Sequence, residues 1–181
     1  MERPPLVERA LRLAAELDFR NSCSEETGRL LHVLAGTRGR LRVAETGTGA
    51  GVGAAWIVSA LDPSVPFFTA ELDAARARAA AELFRDDANV LVLGGSWQDA
   101  LPPHAPFDLL FHDGSKRQPE VDGELTLGLL APRGLVIMDD MTPGRAGPDP
   151  VREFWLGHPE LAATELQVSA RESVLIAVRT R

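Results

Sequence analysis

The only lysine of the chain, Lys116, stands in the stretch FHDGSKRQ, three residues after Asp113. The remaining 18 of the 19 basic residues are arginines. Arginine keeps its proton near neutral pH, whereas the surroundings of a lysine can lower its pKa enough for the amine to act as a base. A single ammonium group beside a carboxylate therefore indicates a place where a chemical role should be tested.

A glycine-rich loop is the second feature with chemical potential. The run ETGTGAGVGA, residues 45–54, follows a short apolar segment and precedes a helical one. Glycine permits positive φ angles and lets a ligand approach the backbone closely. Gly49, Gly51 and Ala54 also satisfy the dinucleotide fingerprint G-x-G-x-x-A, and Glu71 lies about 20 residues further on. An NAD(P)-dependent oxidoreductase is therefore one open interpretation.

Three features argue against a dinucleotide site. About forty residues of predicted helix precede the first strand, whereas dinucleotide-binding folds usually open with that strand. Glu45 would meet a pyrophosphate with a like charge, although it is well placed for a cationic amino group. The combination of Asp113 and Lys116 has no obvious use in hydride transfer.

Short apolar runs that alternate with helical segments predict the fold. The predicted strands are 41–45, 66–71, 89–93, 107–112, 134–139, 163–168 and 173–179. The predicted helices are 5–19, a segment from Ser24 to Gly36, 52–61, 73–85, 119–130 and 149–157. This alternation is typical of βαβ units, which form a parallel sheet covered by helices on both faces. We therefore predict an α/β fold preceded by helices.

Ligands of an open α/β sheet bind outside the carboxyl ends of its strands, near the point where the strand order reverses. The residues that follow the predicted strands are mostly acidic or small: Glu45 with its glycines, Glu71, Gly94 to Ser96, Asp113, Asp139 and Asp140. These positions are the candidates for a binding site.

The order of these motifs resembles a known family. The pattern E-x-G-x-x-x-G (Glu45, Gly47, Gly51), the acidic Glu71, then FDLLFHDGSK and LLAPRGLVIMDD, is similar to the class I S-adenosylmethionine-dependent methyltransferases. Within that class the chain resembles the metal-dependent O-methyltransferases of the catechol O-methyltransferase type, from about Ser24 to the C-terminus. The resemblance implies a Rossmann-like methyltransferase fold, with a mostly parallel seven-stranded sheet, an antiparallel C-terminal strand and N-terminal helices.

The resemblance also implies a cofactor site for S-adenosylmethionine. In the family pattern, Glu45 and the loop at Gly47, Gly49 and Gly51 hold the methionine portion, and Asp113 lies beside it. Glu71 binds the ribose hydroxyls, because a carboxylate can accept two hydrogen bonds. The residues expected along the adenine are Ser96, Trp97 and Gln98. Core packing is the alternative interpretation of Trp97.

The same resemblance implies a metal site and a base. The family pattern D-x-x-K makes Asp113 a ligand of Mg²⁺ or another divalent cation, with Asp139 and Asp140 as the further ligands, and makes Lys116 the base. A divalent metal bound to the acceptor hydroxyl lowers the pKa of that hydroxyl. The alternatives are that Asp139 and Asp140 only form a turn, and that Lys116 is a solvated surface residue.

Some positions depart from the family pattern, and they fall around the methionine pocket and the acceptor side. Gly49 and Gly53 stand where an aromatic residue and a serine are frequent, Pro119 stands where a tyrosine often follows the lysine, and Asp140 replaces asparagine. The class of cofactor is therefore better supported than the acceptor, and catechol itself is not supported. A non-catalytic relative that keeps the cofactor pocket is a further alternative.

The composition limits the partners. A chain of 181 residues with 45% hydrophobic content fits one domain, 1–181, with N-terminal helices in 1–40 and the core in 41–181. A net charge of -7 argues against nucleic-acid and membrane-surface binding and favours a small-molecule partner, which the resemblance implies is a hydroxyl-bearing acceptor. The single cysteine and the lack of a secretory pattern predict a cytoplasmic protein. The amphipathic first helix suggests a possible homodimer.

Overall fold

Two helices precede the sheet in the computed structural model, which describes residues 2–114 and 118–181. The first helix, α1, spans Pro5–Glu16, and the second, α2, spans Glu25–Ala35. Ser24 caps α2, because its hydroxyl accepts a hydrogen bond from the Thr27 N–H at 3.1 Å. The prediction of helix 5–19 extended α1 too far, since the chain leaves the helix after Glu16.

Strands and helices then alternate as predicted. The strands are β1 Val43–Thr46, β2 Phe67–Glu71, β3 Val90–Gly94, β4 Phe107–His112, β5 Leu130–Met141, β6 Leu161–Gln167 and β7 Ser173–Arg179. The helices that connect them are α3 Val52–Val58, α4 Ala74–Leu83, α5 Trp97–Ala100, α6 Pro119–Leu129 and α7 Pro150–Gly157, with a 3₁₀ turn at Pro102–His104. Helix α5 and the 3₁₀ turn were not predicted, because segments this short show no helical periodicity.

The seven strands form one sheet in the order β3-β2-β1-β4-β5-β7-β6. Strands β1 to β5 pair in parallel, and β7 runs antiparallel to both of its neighbours. The predicted Rossmann-like sheet with an antiparallel C-terminal strand is therefore confirmed. The strand order reverses between β1 and β4, so the ends of these two strands mark the expected ligand site.

Apolar side chains cover both faces of the sheet. On β4, Leu109 and Phe111 join the cluster under α1, α2 and α3, whereas Leu110 joins the cluster on the opposite face. All three are fully buried. A strand buried on both faces reads as a continuous apolar run, which is why β4 was recognisable from the sequence.

Strand β5 is longer than the prediction of 134–139. It begins at Leu130, and its pairing with β4 is irregular between Phe107 and Leu109. Arg133 adopts a φ of 66°, and the following Gly134 lies where a Cβ atom would come within 2.8 Å of two backbone oxygens. The turn-forming residues Arg133 and Gly134 therefore mark an irregularity inside β5 rather than a loop before it.

Candidate functional site

A polar cavity of about 460 Å³ opens at the carboxyl ends of the central strands. Four described parts of the chain form its wall: the glycine loop after β1, the ends of β2, β4 and β5, the first turn of α4, and the link between α1 and α2. Its lining residues are Phe19, Arg20, Asn21, Ser22, Cys23, Gly47, Gly49, Glu71, Arg76, Asp113, Gly114, Asp139 and Asp140. The tertiary structure therefore brings six of the predicted positions from four separate motifs into one space.

The glycine loop requires glycine for both its conformation and its contacts. Gly47 and Gly49 have φ angles of 83° and 55°, in the left-handed region that side chains rarely adopt. A Cβ atom on Gly47 would lie 2.9 Å from the carbonyl oxygen of Asp113, and one on Gly49 would lie 2.6 Å from the ring of Phe19. The loop is thus in close contact with the turn at Asp113 on one side and the N-terminal link on the other.

Glu71 ends β2 and supports this loop. Its Oε2 atom accepts a hydrogen bond from the Gly49 N–H at 2.8 Å. Its Oε1 atom accepts from the Asp73 N–H at 2.9 Å and from the guanidinium of Arg76 at 2.7 Å and 3.1 Å. Glu71 is buried, but it lines the cavity, and its predicted contact with the ribose stays a prediction.

Glu45 lies beneath the loop and is not among the described residues that line the cavity. Its Oε2 atom accepts a hydrogen bond from the Thr69 hydroxyl at 2.6 Å, and that hydroxyl is 2.6 Å from the hydroxyl of Thr48 in the loop. Burial raises the pKa of Glu45 to about 8, and the negative charges of Asp139 and Glu71 add to this effect. The predicted contact of Glu45 with the methionine portion stays a prediction, and the observed contacts connect Glu45 to the loop.

Three carboxylates meet at the far side of the cavity. One oxygen atom each of Asp113, Asp139 and Asp140 lies within 4.8 Å of the others. Opposite ligands of one ion are separated by about 4.2 Å for Mg²⁺ and by up to about 5.2 Å for Ca²⁺, twice the metal–oxygen distance. The spacing and the hard oxygen donors therefore fit a divalent cation.

A β-bulge places two of these carboxylates. The pairing of β5 with β7 shifts between Met138 and Met141, so Asp139 and Asp140 together oppose one residue of β7. Asp139 is buried, whereas Asp140 is exposed and has a φ of 62°. Aspartate and asparagine tolerate this left-handed conformation better than most residues.

Thr46 holds the turn that carries Asp113. Its carbonyl accepts a hydrogen bond from the Asp113 N–H at 3.1 Å, and its Oγ1 accepts one from the Gly114 N–H at 2.9 Å. The same Oγ1 is 2.9 Å from Nδ1 of the buried His112. Thr46 was not among the predicted site residues, because a threonine at a strand end has no motif of its own.

The residues predicted to contact adenine line an adjacent cavity of about 340 Å³. This space shares Gly47 and Glu71 with the larger cavity, and Ser96, Trp97 and Gln98 form part of its wall. Trp97 is only 6% exposed and packs edge-on against His112, so it contributes to both the core and the wall. The side chain of Gln98 accepts from the Ser96 hydroxyl and donates to Asp122 at 3.4 Å.

Two further predicted positions, Gly51 and Lys116, are not among the described residues that line either cavity. Gly51 is the N-cap residue of α3, has a φ of 83° and packs against Phe84. It therefore contributes to the shape of the glycine loop on the side away from the cavity. Lys116, the predicted base, lies outside the described residues, and its role stays a prediction.

Arg76 and the N-terminal link 19–23 line the cavity without having been predicted. Within the link, burial raises the pKa of the Cys23 thiol, and the charges of Asp139 and Asp113 raise it further. No local motif marks these residues, because they become part of the site only when the helices pack on the sheet.

A larger cavity, about 730 Å³, lies between α6 and α7. It is lined by glutamates and apolar side chains, including Glu124, Leu125 and Phe154, and by none of the predicted site residues that the structure describes. Volume alone would favour this larger cavity, but the convergence of carboxylates, glycine loop and Glu71 favours the smaller cavity as the candidate site.

Among residues 2–114 and 118–181, no helix has both the length and the apolar character that crossing a membrane requires.

Comparison with known proteins identifies the family of this chain. Residues 44–141, more than half of the chain, match the family described as "Methyltransferase domain". A relative from Mycobacteroides abscessus, named "Putative O-methyltransferase", is 31% identical over 131 residues, which cover 68% of this chain but only 60% of that relative.

Two solved structures share the fold over nearly the entire chain. The O-methyltransferase from Bacillus cereus in complex with S-adenosylhomocysteine (SAH) superimposes with a TM-score of 0.84 at 22% identity, covering 99% of this chain and 92% of that one. The O-methyltransferase TomG from Streptomyces achromogenes, involved in tomaymycin synthesis and solved with S-adenosylmethionine (SAM), gives a TM-score of 0.82 at 25% identity with the same coverage.

Proposed function

The chain belongs to the methyltransferase domain family, and we propose that it transfers the methyl group of SAM to the oxygen of a small hydroxyl-bearing molecule. One observation carries this proposal: a single cavity has Gly47, Gly49 and Glu71 on one side and the carboxylates of Asp113, Asp139 and Asp140 on the other. The first set suits a nucleoside with an amino-acid tail. The second suits the activation of a hydroxyl group.

The reaction itself needs two things from the protein. The acceptor oxygen forms a bond to the methyl carbon while the carbon–sulfur bond breaks, and the electron pair of that bond remains on sulfur, which gives SAH. The hydroxyl proton has to leave the acceptor. The protein must therefore hold the two reactants in line and provide a destination for the proton.

The chain's own residues suit the first task. The open backbone of the glycine loop lets the ligand approach, and Glu71 offers acceptor oxygens to the ribose hydroxyls. Ser96, Trp97 and Gln98 form the adenine side. We assign Glu45 an indirect role, because its hydrogen bond to Thr69 supports the loop from below.

The second task falls to Asp113, Asp139, Asp140 and Lys116. The three aspartates would hold Mg²⁺ or another divalent cation, which when bound supplies a Lewis acid that lowers the pKa of the acceptor hydroxyl. Three carboxylates beside a dication leave a net negative site, and the ammonium that forms once the neutral amine of Lys116 takes the proton would offset that charge. The pattern Asp-x-x-Lys assigns Lys116 as the group that takes the proton.

The same proposal includes the remaining predictions about the protein. Residues 1–181 act as one domain, the acceptor is a small molecule rather than nucleic acid or lipid, and the protein works in the cytoplasm. A homodimer through the N-terminal helices is the proposed assembly.

Calorimetry with SAH and with NAD tests the class of cofactor. We expect SAH to bind and NAD not to bind. The opposite result would overturn the methyltransferase proposal in favour of an oxidoreductase. Binding of SAH without methyl transfer to catechols, phenols or sugars would favour a non-catalytic protein.

Chelation tests the metal. We expect methyl transfer to be lost in EDTA and restored by excess Mg²⁺, and Asp113→Ala to abolish it. Glu120→Ala, which removes an exposed carboxylate on α6, is the matched control and should keep the activity of the wild type. Unchanged turnover in EDTA and in Asp113→Ala would show that the carboxylate cluster has another role.

A further inference from the structure

Arg76 contacts the proposed ribose carboxylate but has no role in the function described above. It lies in the first turn of α4 and lines the 460 Å³ cavity. Its Nε and Nη2 atoms both donate to Oε1 of Glu71, at 3.1 Å and 2.7 Å. A guanidinium that donates two hydrogen bonds to one oxygen fixes the orientation of the carboxylate as well as balancing its charge.

The two oxygens of Glu71 are used unequally. Oε1 accepts three hydrogen bonds, two from Arg76 and one from the Asp73 N–H at 2.9 Å. Oε2 accepts one, from the Gly49 N–H at 2.8 Å. A carboxylate oxygen has two lone-pair positions. Oε1 is therefore saturated, whereas Oε2 retains the capacity to accept from a ligand.

Phe19 holds Arg76 from the other side. The guanidinium carbon of Arg76 lies 5.3 Å from the centre of the Phe19 ring, within the range of a cation–π contact. The edge of the same ring lies over Gly49, 2.6 Å from where a Cβ atom would stand. Phe19, Arg76, Glu71 and Gly49 thus form a closed set of contacts at the wall of the cavity.

We propose that Arg76 is a positioning residue for the nucleoside: it occupies Oε1 of Glu71 so that Oε2 is directed to a ribose hydroxyl. Phe19 keeps the guanidinium in this position and so couples the N-terminal link to cofactor binding. This inference rests on the proposed function, because it assumes that the cavity binds SAM. It assigns ribose selectivity to a residue that lies outside the glycine and carboxylate motifs.

Matched variants on α4 distinguish a specific effect of Arg76 on ribose binding from a general effect on charge or stability. Arg76→Ala removes the contact, and Arg76→Lys keeps the charge but loses the paired hydrogen bonds. Arg78→Ala is the control, because Arg78 has the same charge, lies on the same helix and is exposed. Calorimetry then measures the binding of two probes: SAH and its 2′,3′-dideoxy form, which lacks both ribose hydroxyls.

We expect the wild type and Arg78→Ala to prefer SAH over the dideoxy form. Arg76→Ala should bind SAH about tenfold more weakly, yet bind the dideoxy form nearly as well as the wild type does, so that the preference shrinks. Arg76→Lys and Phe19→Leu should give intermediate losses. If Arg76→Ala does not fold, as judged by thermal unfolding, the comparison of Arg76→Lys with Arg78→Ala carries the test.

Two outcomes would overturn the inference while leaving the proposed function in place. One is that Arg76→Ala binds SAH as tightly as Arg78→Ala does. The other is an equal loss for both probes, which would indicate a general structural or electrostatic effect. A wild type that binds no SAH would instead remove the proposed function, and this inference with it.

Discussion

Glu45 belongs to a recognisable motif, and its side chain bonds to a residue of the neighbouring strand β2. Its type and position suited a cationic amino group, but its carboxylate is 1% exposed and accepts a hydrogen bond from Thr69. A carboxyl group in such surroundings favours its neutral form. The residue therefore connects the glycine loop to the sheet, and its protonation affects stability.

The stability of the protein should depend on pH through Glu45. Its folded pKa of about 8 lies above the ordinary value of 4.5, so the folded state binds a proton that the unfolded state has released. The stabilisation is fully present below pH 4.5 and is lost as the pH rises towards 8, by up to about 1.4 kcal/mol per pH unit. Denaturant unfolding of the wild type and Glu45→Gln at pH 5 to 9 measures this, and the variant should show a flatter profile.

Glu16→Gln provides the control, since Glu16 is an exposed residue at the end of α1. It should keep the pH profile of the wild type. If wild-type stability and that of Glu45→Gln vary with pH in parallel, Glu45 is not protonated in the folded protein.

The β-bulge of β5 determines where the carboxylates of Asp139 and Asp140 lie. A regular strand would point Asp139 and Asp140 to opposite faces of the sheet. The register shift between Met138 and Met141 and the φ of 62° at Asp140 change this arrangement. One oxygen of Asp139 and one of Asp140 lie within 4.8 Å of each other and of an oxygen of Asp113. The asparagine that is frequent at this position in the family and the aspartate found here both tolerate the left-handed backbone.

Substitutions of Asp140 should distinguish the effect of its backbone conformation on stability from the effect of its carboxylate on metal binding. Asp140→Gly and Asp140→Asn should fold with nearly the stability of the wild type, whereas Asp140→Ala should lose about 1 kcal/mol because its backbone is strained at positive φ. Chemical denaturation measures the stability. Methyl transfer at varied Mg²⁺ should require more metal in Asp140→Gly than in the wild type. Equal stability of the alanine and glycine variants would contradict the expected strain.

The packing of the N-terminal helices on the sheet completes the site, because the link between them forms one wall of the cavity. Helix α2 packs against α3 through close contacts, and the Trp56 ring occupies the space where a side chain on Gly28 would stand. Leu31 is fully buried in this interface. The stability of the helices and the shape of the cavity are therefore coupled.

Leu31→Ala should destabilise the protein by about 2 to 5 kcal/mol, because it leaves a cavity in the core. Val33→Ala, on the same helix but at a position 62% exposed, should change stability by less than about 0.5 kcal/mol. Thermal and denaturant unfolding compare the two. A similar small effect in both variants would mean that α2 is not packed as described.

The order of strands and helices, the glycine loop and the acidic strand ends were predictable from the chain alone. These features depend on local rules: the continuous apolar run of β4 has to be buried on both faces, and Gly47 has to adopt a φ of 83°. The bulge at Asp139, the burial of Glu45 and the contacts of Phe19 with Arg76 depend on residues far apart in the chain. No local pattern encodes such contacts, because they form only when the N-terminal helices pack on the sheet and bring these side chains together.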